Sequence, residues 1–72
     1  MYKQYIIYAT MEKEGRLFDH EFNITIEPDE TLNADTFDKY AHIRPAWQLV
    51  KINSIQQITV EYKYTDIPVF TL

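Results

Sequence analysis

His20 stands between Asp19 and Glu21, and a histidine beside a carboxylate is the usual pairing for a general base and its orienter. The surrounding pattern argues against that chemistry. From Phe18 to Ile26, apolar and polar residues alternate: Phe18, His20, Phe22, Ile24 and Ile26 on one side, Asp19, Glu21, Asn23, Thr25 and then Glu27 on the other. Leu17 is the one apolar residue on the polar side. Period-2 alternation is a strand signal, and successive strand residues point to opposite faces. His20 is therefore expected among the phenylalanines, with its flanking carboxylates turned away. The second histidine, His42, falls near a helix end. There is no cysteine, no glycine-rich phosphate loop and no serine elbow, and the lone serine, Ser54, falls in an expected turn. No catalytic residue is predicted.

Carboxylates are the chain's most concentrated functional groups. Asp19, Glu21, Glu27, Asp29, Glu30, Asp35 and Asp38 are seven of its eleven acids, and residues 19–38 contain no Lys or Arg. Asp29, Glu30, Asp35 and Asp38 have the oxygen chemistry of a hard-cation site, but the spacing of a calcium loop and its central glycine are missing, so no metal is predicted. What the seven acids do suggest is a docking surface for a basic partner protein. Unrelieved negative charge steers such a partner and speeds its docking. Asp19, Glu21 and Glu27, expected on one strand face, repel one another unless a partner relieves them.

A second set is aromatic. Tyr2, Tyr5, Tyr8, Tyr62 and Tyr64, with Phe22, have the chemistry of a stacking platform for single-stranded bases. Such platforms are ringed by cations, and here only Lys3, Lys51 and Lys63 are placed to serve. The net charge of −4 also opposes phosphate binding, so nucleic acid ranks second to a protein partner.

These groups must be positioned by a single small domain of 72 residues. A chain of this length buries only roughly 60% of its unfolded surface, which makes added area from a partner or a second copy valuable. The first strand spans residues 2–11, and Glu12–Arg16 forms a hairpin turn with Gly15 at positive φ. The second strand is 17–27. A helix follows over about Ala34–Ile43, with Asn33 as N-cap, Leu32 and Phe37 at hydrophobic-staple spacing, and Pro45 as its stop. Phe37, Tyr40, Ala41 and Arg44 make its buried stripe. Trp47–Ile52 reads as a third strand, with a helical turn over Leu49 and Ile52 as the alternative, and Asn53-Ser54 as a tight connection. Residues 55–64 read as a fourth strand, with Ile58, Val60, Tyr62 and Tyr64 on one face. The tail, 65–72, is a candidate fifth edge strand around Pro68.

The expectation is an α+β fold: a small antiparallel sheet of four strands, or five with the tail, one helix on one face, order β-β-α-β-β. The absence of cysteine, of a signal-peptide pattern and of a long apolar run points to a cytoplasmic protein without cofactor, membrane anchor or disulfide. The Asn23-Ile24-Thr25 glycosylation pattern is discounted on that ground. The predicted function is a non-enzymatic protein-interaction module, such as a small inhibitor or accessory protein of a mobile genetic element or phage. Self-association through the apolar tail or a sheet edge is a related expectation.

Overall fold

A computed structural model describes residues 2–59 and 63–70. Its elements are β1 (Lys3–Lys13), β2 (Arg16–Ile26), α1 (Ala34–Ala41), β3 (Gln48–Ile58) and β4 (Tyr64–Ile67). The four strands form one antiparallel sheet in the order β2-β1-β3-β4. The expected class, helix count and element order are all present.

The β1–β2 hairpin sets the frame. Its register runs unbroken from Lys13↔Arg16 to Lys3↔Ile26. Two residues close it, Glu14 at φ 53° and Gly15 at φ 77°, both left-handed as the twist of a two-residue hairpin requires. Gly15 was expected there; Glu14 adopts the same conformation with a Cβ to accommodate.

Helix α1 begins as its sequence predicts. The Asn33 carboxamide oxygen accepts from the N–H groups of Asp35 and Thr36, both at 3.0 Å. Thr36 Oγ1 in turn accepts from the Asn33 N–H at 2.8 Å, completing a reciprocal cap. The helix ends at Ala41, earlier than expected, because His42 turns left-handed at φ 52°. Arg44 is thus outside the helix. Its guanidinium lies over the Trp47 ring at 5.1 Å, and the Trp47 N–H closes a turn onto the Arg44 carbonyl.

Residues 48–58 differ most from expectation. They form one continuous strand, with no connection at Asn53-Ser54. The strand carries two bulges, opposite Tyr8/Ala9 and Thr10/Met11, where Asn53 and Val50 are the extra residues. Each bulge shifts the alternation by one, so Leu49, Ile52 and Ile55 all face the core opposite Met11, Ala9 and Ile7. Their spacing of three is what made a helical turn plausible. Ile58 pairs with Gln4 and Tyr64, which puts it and Tyr64 on the opposite face from the one predicted for the core. The fourth strand is the short segment Tyr64–Ile67, which joins the last residue of the strand expected over 55–64 to the start of the expected tail strand. Val60, Tyr62 and Leu72 lie outside the described residues.

The inner face of the sheet carries the core: Tyr5, Ile7, Ala9, Met11, Phe22, Ile24, Ile26, Ile52 and Ile55. Helix α1 covers one part of it through Phe37, which is fully buried, with its ring 5.4 Å from Phe22 and 6.1 Å from Phe70. Trp47 covers another part, edge-on to Phe18 at 4.9 Å and to His20 at 5.0 Å. Among the described residues, nothing covers the outer face.

Candidate functional site

The outer face of the sheet presents Leu17, Asp19, Glu21, Asn23 and Thr25 of β2 beside Glu12, Thr10, Tyr8, Ile6 and Gln4 of β1. Each facing pair here sits between the pairs that exchange backbone hydrogen bonds. Side chains in such intervening pairs stand closer together, at roughly 4.5 Å between Cα atoms. That closeness organises the two central carboxylates. Thr10 Oγ1 donates to Asp19 Oδ1 at 3.1 Å, and Asn53 Nδ2 donates to Thr10 Oγ1 at 3.0 Å, so a hydrogen-bond chain crosses three strands. Asn53 reaches Thr10 from the bulge in β3, which gives that irregularity a local use.

Glu21 faces Tyr8 across the strand pair. The neighbouring Glu21 carboxylate, by its attraction for the phenolic proton and then by its negative charge, holds the Tyr8 phenol above its ordinary pKa; partial burial and Tyr64 add smaller upward pushes. The groups beside the two carboxylates, Thr10 and Tyr8, are therefore uncharged and supply no opposing charge. Tyr8 and Tyr64 are 41% and 58% exposed, and Leu17 is 64% exposed, so the face is part apolar and part acidic. At its β4 side, Gln56 Nε2 donates to Asp66 at 3.4 Å.

The seven acids singled out in the sequence do not form one surface. Asp19 and Glu21 share the open face, and Glu27 is exposed just beyond the end of β2. Asp29 is exposed in the following turn. Asp35 and Asp38 are exposed on α1, on the opposite side of the sheet. Glu30 is a structural strut. Its carboxylate accepts from the Tyr40 hydroxyl, from the Glu27 N–H at 3.1 Å and from Lys39 Nζ at 3.3 Å. Its carbonyl accepts from Lys3 Nζ at 2.8 Å. The Tyr40 bond, then the Glu27 N–H, then Lys39 hold Glu30 below the usual carboxylate pKa. Glu30 thus ties β1 and the end of β2 to the helix.

The aromatic set is divided too. Tyr5 and Phe22 are core residues, whereas Tyr8 and Tyr64 stand on the open face and Tyr2 is exposed ahead of β1. Tyr62 lies outside the described residues. His20 is on the inner face, edge-on to Phe22 at 4.7 Å, with Asp19 and Glu21 on the other side of the sheet. His42 is exposed at the helix cap. Among the described residues, no three His, Asp or Glu side chains are placed to share a metal ion, and no helix is long and apolar enough to cross a membrane.

The parts that sequence reasoning missed are Thr10, Asn53 and the Tyr8–Glu21 pair. The last was within reach. A two-residue turn at Glu14-Gly15 fixes every β1–β2 partner, and Tyr8 must then face Glu21. No protein-family model, curated protein or solved structure matches the chain.

Proposed function

We propose that this chain is a non-enzymatic protein-interaction module, an inhibitor or accessory subunit, that docks a basic partner surface on its open sheet face at Asp19 and Glu21. The observation that carries this reading is their shared placement on a face that nothing among the described residues covers, each beside an uncharged group, Thr10 or Tyr8. Asp19, already held by Thr10, loses little further freedom when a partner's Lys or Arg arrives. Exposed Leu17, Tyr8 and Tyr64 supply the apolar area a stable contact needs alongside the charge. The attraction should weaken with salt, since the screening length shrinks to about 3 Å at 1 M.

The test is capture from the cells that produce the protein, using the tagged full chain, with circular dichroism to check folding. Asp19→Lys/Glu21→Lys should abolish capture of the partner, while Asp35→Lys/Asp38→Lys on the helix should retain it. Equal capture by both double variants would refute the reading.

A second reading draws on Tyr8 and Tyr64, which share the open face: base stacking with single-stranded nucleic acid. Asp19, Glu21 and Asp66 on that same face repel phosphate, which ranks this reading second. Tight, salt-sensitive binding of single-stranded oligonucleotides would reverse the order.

A further inference from the structure

Strand β2 is the outermost strand on one side of the sheet, and its pairing with β1 dictates which backbone groups are left over. The two-residue turn closes on a hydrogen-bonded pair, Lys13↔Arg16, and such pairs recur every second residue. Phe18, His20, Phe22, Ile24 and Ile26 therefore spend their N–H and C=O groups on β1. Leu17, Asp19, Glu21, Asn23 and Thr25 direct theirs away from it. Among the described residues, no backbone or side-chain group bonds to that edge.

An edge of this kind is a template for another strand, and proteins usually blunt it with proline, a bulge or inward charge. Strand β2 has no proline and its register has no irregularity. What it has is Asp19 and Glu21, whose side chains stand on the open face and whose backbone groups face the free edge. A second copy pairing antiparallel over the full length from Leu17 to Thr25 would set Glu21 directly opposite its own counterpart. Like charges placed so are destabilising. A strand with Lys or Arg at alternate positions would instead set a cation opposite each acid.

We infer that the free edge of β2 accepts an extended basic segment of the partner by strand addition, with cations at i and i+2 facing Asp19 and Glu21. This rests on the docking reading above and adds to it the form of the ligand: main-chain pairing supplies affinity, and the alternate cations supply register.

The probe is a synthetic ten-residue peptide with lysine at alternate positions and threonine or valine between, titrated at low salt into the isotopically labelled full chain. In the inferred pairing the lysine amides face β2 and the intervening amides face away. N-methylation of the lysine amides should therefore weaken binding about tenfold or more, and N-methylation of the intervening amides should leave it nearly unchanged. Exchange of the Asp19, Glu21 and Asn23 amides should slow by about tenfold with the unmodified peptide.

Equal affinity for the two methylated peptides, with no slowing of exchange, would overturn strand addition while leaving the acidic docking face standing. No binding at about 1 mM peptide would overturn it as well, and the capture experiment then judges the face by itself. Undiminished protection in Asp19→Lys/Glu21→Lys would overturn the assignment of a basic ligand. A dimer by light scattering, with these amides protected before any peptide is added, would assign the edge to a second copy and also overturn the inference.

Discussion

Replacing Phe37 with alanine should strongly destabilise the protein. Phe37 is the residue of α1 that is fully buried, and its ring meets Phe22 and Phe70 at 5.4 and 6.1 Å. Truncating a buried phenylalanine costs about 3–5 kcal/mol, from lost transfer energy and the cavity left behind. A domain of 72 residues has a total stability of about 4–11 kcal/mol. The loss is therefore about a quarter of that stability at the least, and all of it at the low end. Urea denaturation followed by circular dichroism and by the fluorescence of Trp47, the chain's one tryptophan, measures it. With a slope of about 1–1.5 kcal/mol per M, the midpoint should fall by about 2 M or more. Val50→Ala, at a half-exposed site, should cost within about 0.5 kcal/mol. A loss below about 1 kcal/mol for Phe37→Ala would show that the helix is not anchored on the inner face through this ring, and the division into one covered and one bare face would fail with it.

Glu14→Asn should stabilise the hairpin by about 0.5–1 kcal/mol, because asparagine tolerates the left-handed conformation that Glu14 is forced to adopt, and a thermal melt should rise by about 2–8 °C. Glu30 has a folded pKa below its unfolded one, so its contribution is full above the unfolded value of about 4.3 and is lost as pH falls through the lowered value. Glu30→Gln should therefore be the less stable protein at neutral pH, and its denaturant midpoint should converge with that of the native chain in acid. Glu21→Gln removes the neighbouring carboxylate that raises the Tyr8 pKa, so the Tyr8 ring should titrate at lower pH by NMR. An unchanged Tyr8 titration would mean that the pair is not formed in solution.

Much of this fold is legible in the sequence where one physical rule acts alone. The alternation from Phe18 to Ile26 gave the strand and its inner face, Gly15 gave the turn, and Asn33 with Phe37 gave the helix start and its buried side. Reading failed where two rules overlapped. In β3 the bulges at Asn53 and Val50 convert the period of two into inward residues at Leu49, Ile52 and Ile55, a spacing that mimics a helix. Asn53-Ser54 has turn chemistry, yet Asn53 serves as a bulge residue bonded to Thr10. Ile58 and Tyr64 looked like core residues and lie on the outer face, because bulges upstream had already shifted the alternation.

For the candidate site, Asp19 and Glu21 were correctly expected on the polar side of a strand and away from His20. The grouping of all seven acids was not obtained. Between Glu27 and Ala34 the chain crosses from the sheet to the helix lying over the inner face, so acids close in sequence are separated by the thickness of the sheet. Glu30 was not separable from the others by composition, since its role depends on Tyr40, Lys39 and Lys3 arriving from elsewhere.

Docking of a basic partner at β2 requires that the bare face around this strand carry an uncancelled negative potential. Paired soluble paramagnetic probes, one cationic and one anionic, report that potential amide by amide without any partner. The cationic probe should relax Asp19, Glu21 and Asn23 more strongly than the anionic one, and Asp19→Asn/Glu21→Gln should remove the difference. Equal relaxation by the two probes along β2 in the unmodified protein would contradict the proposed docking face.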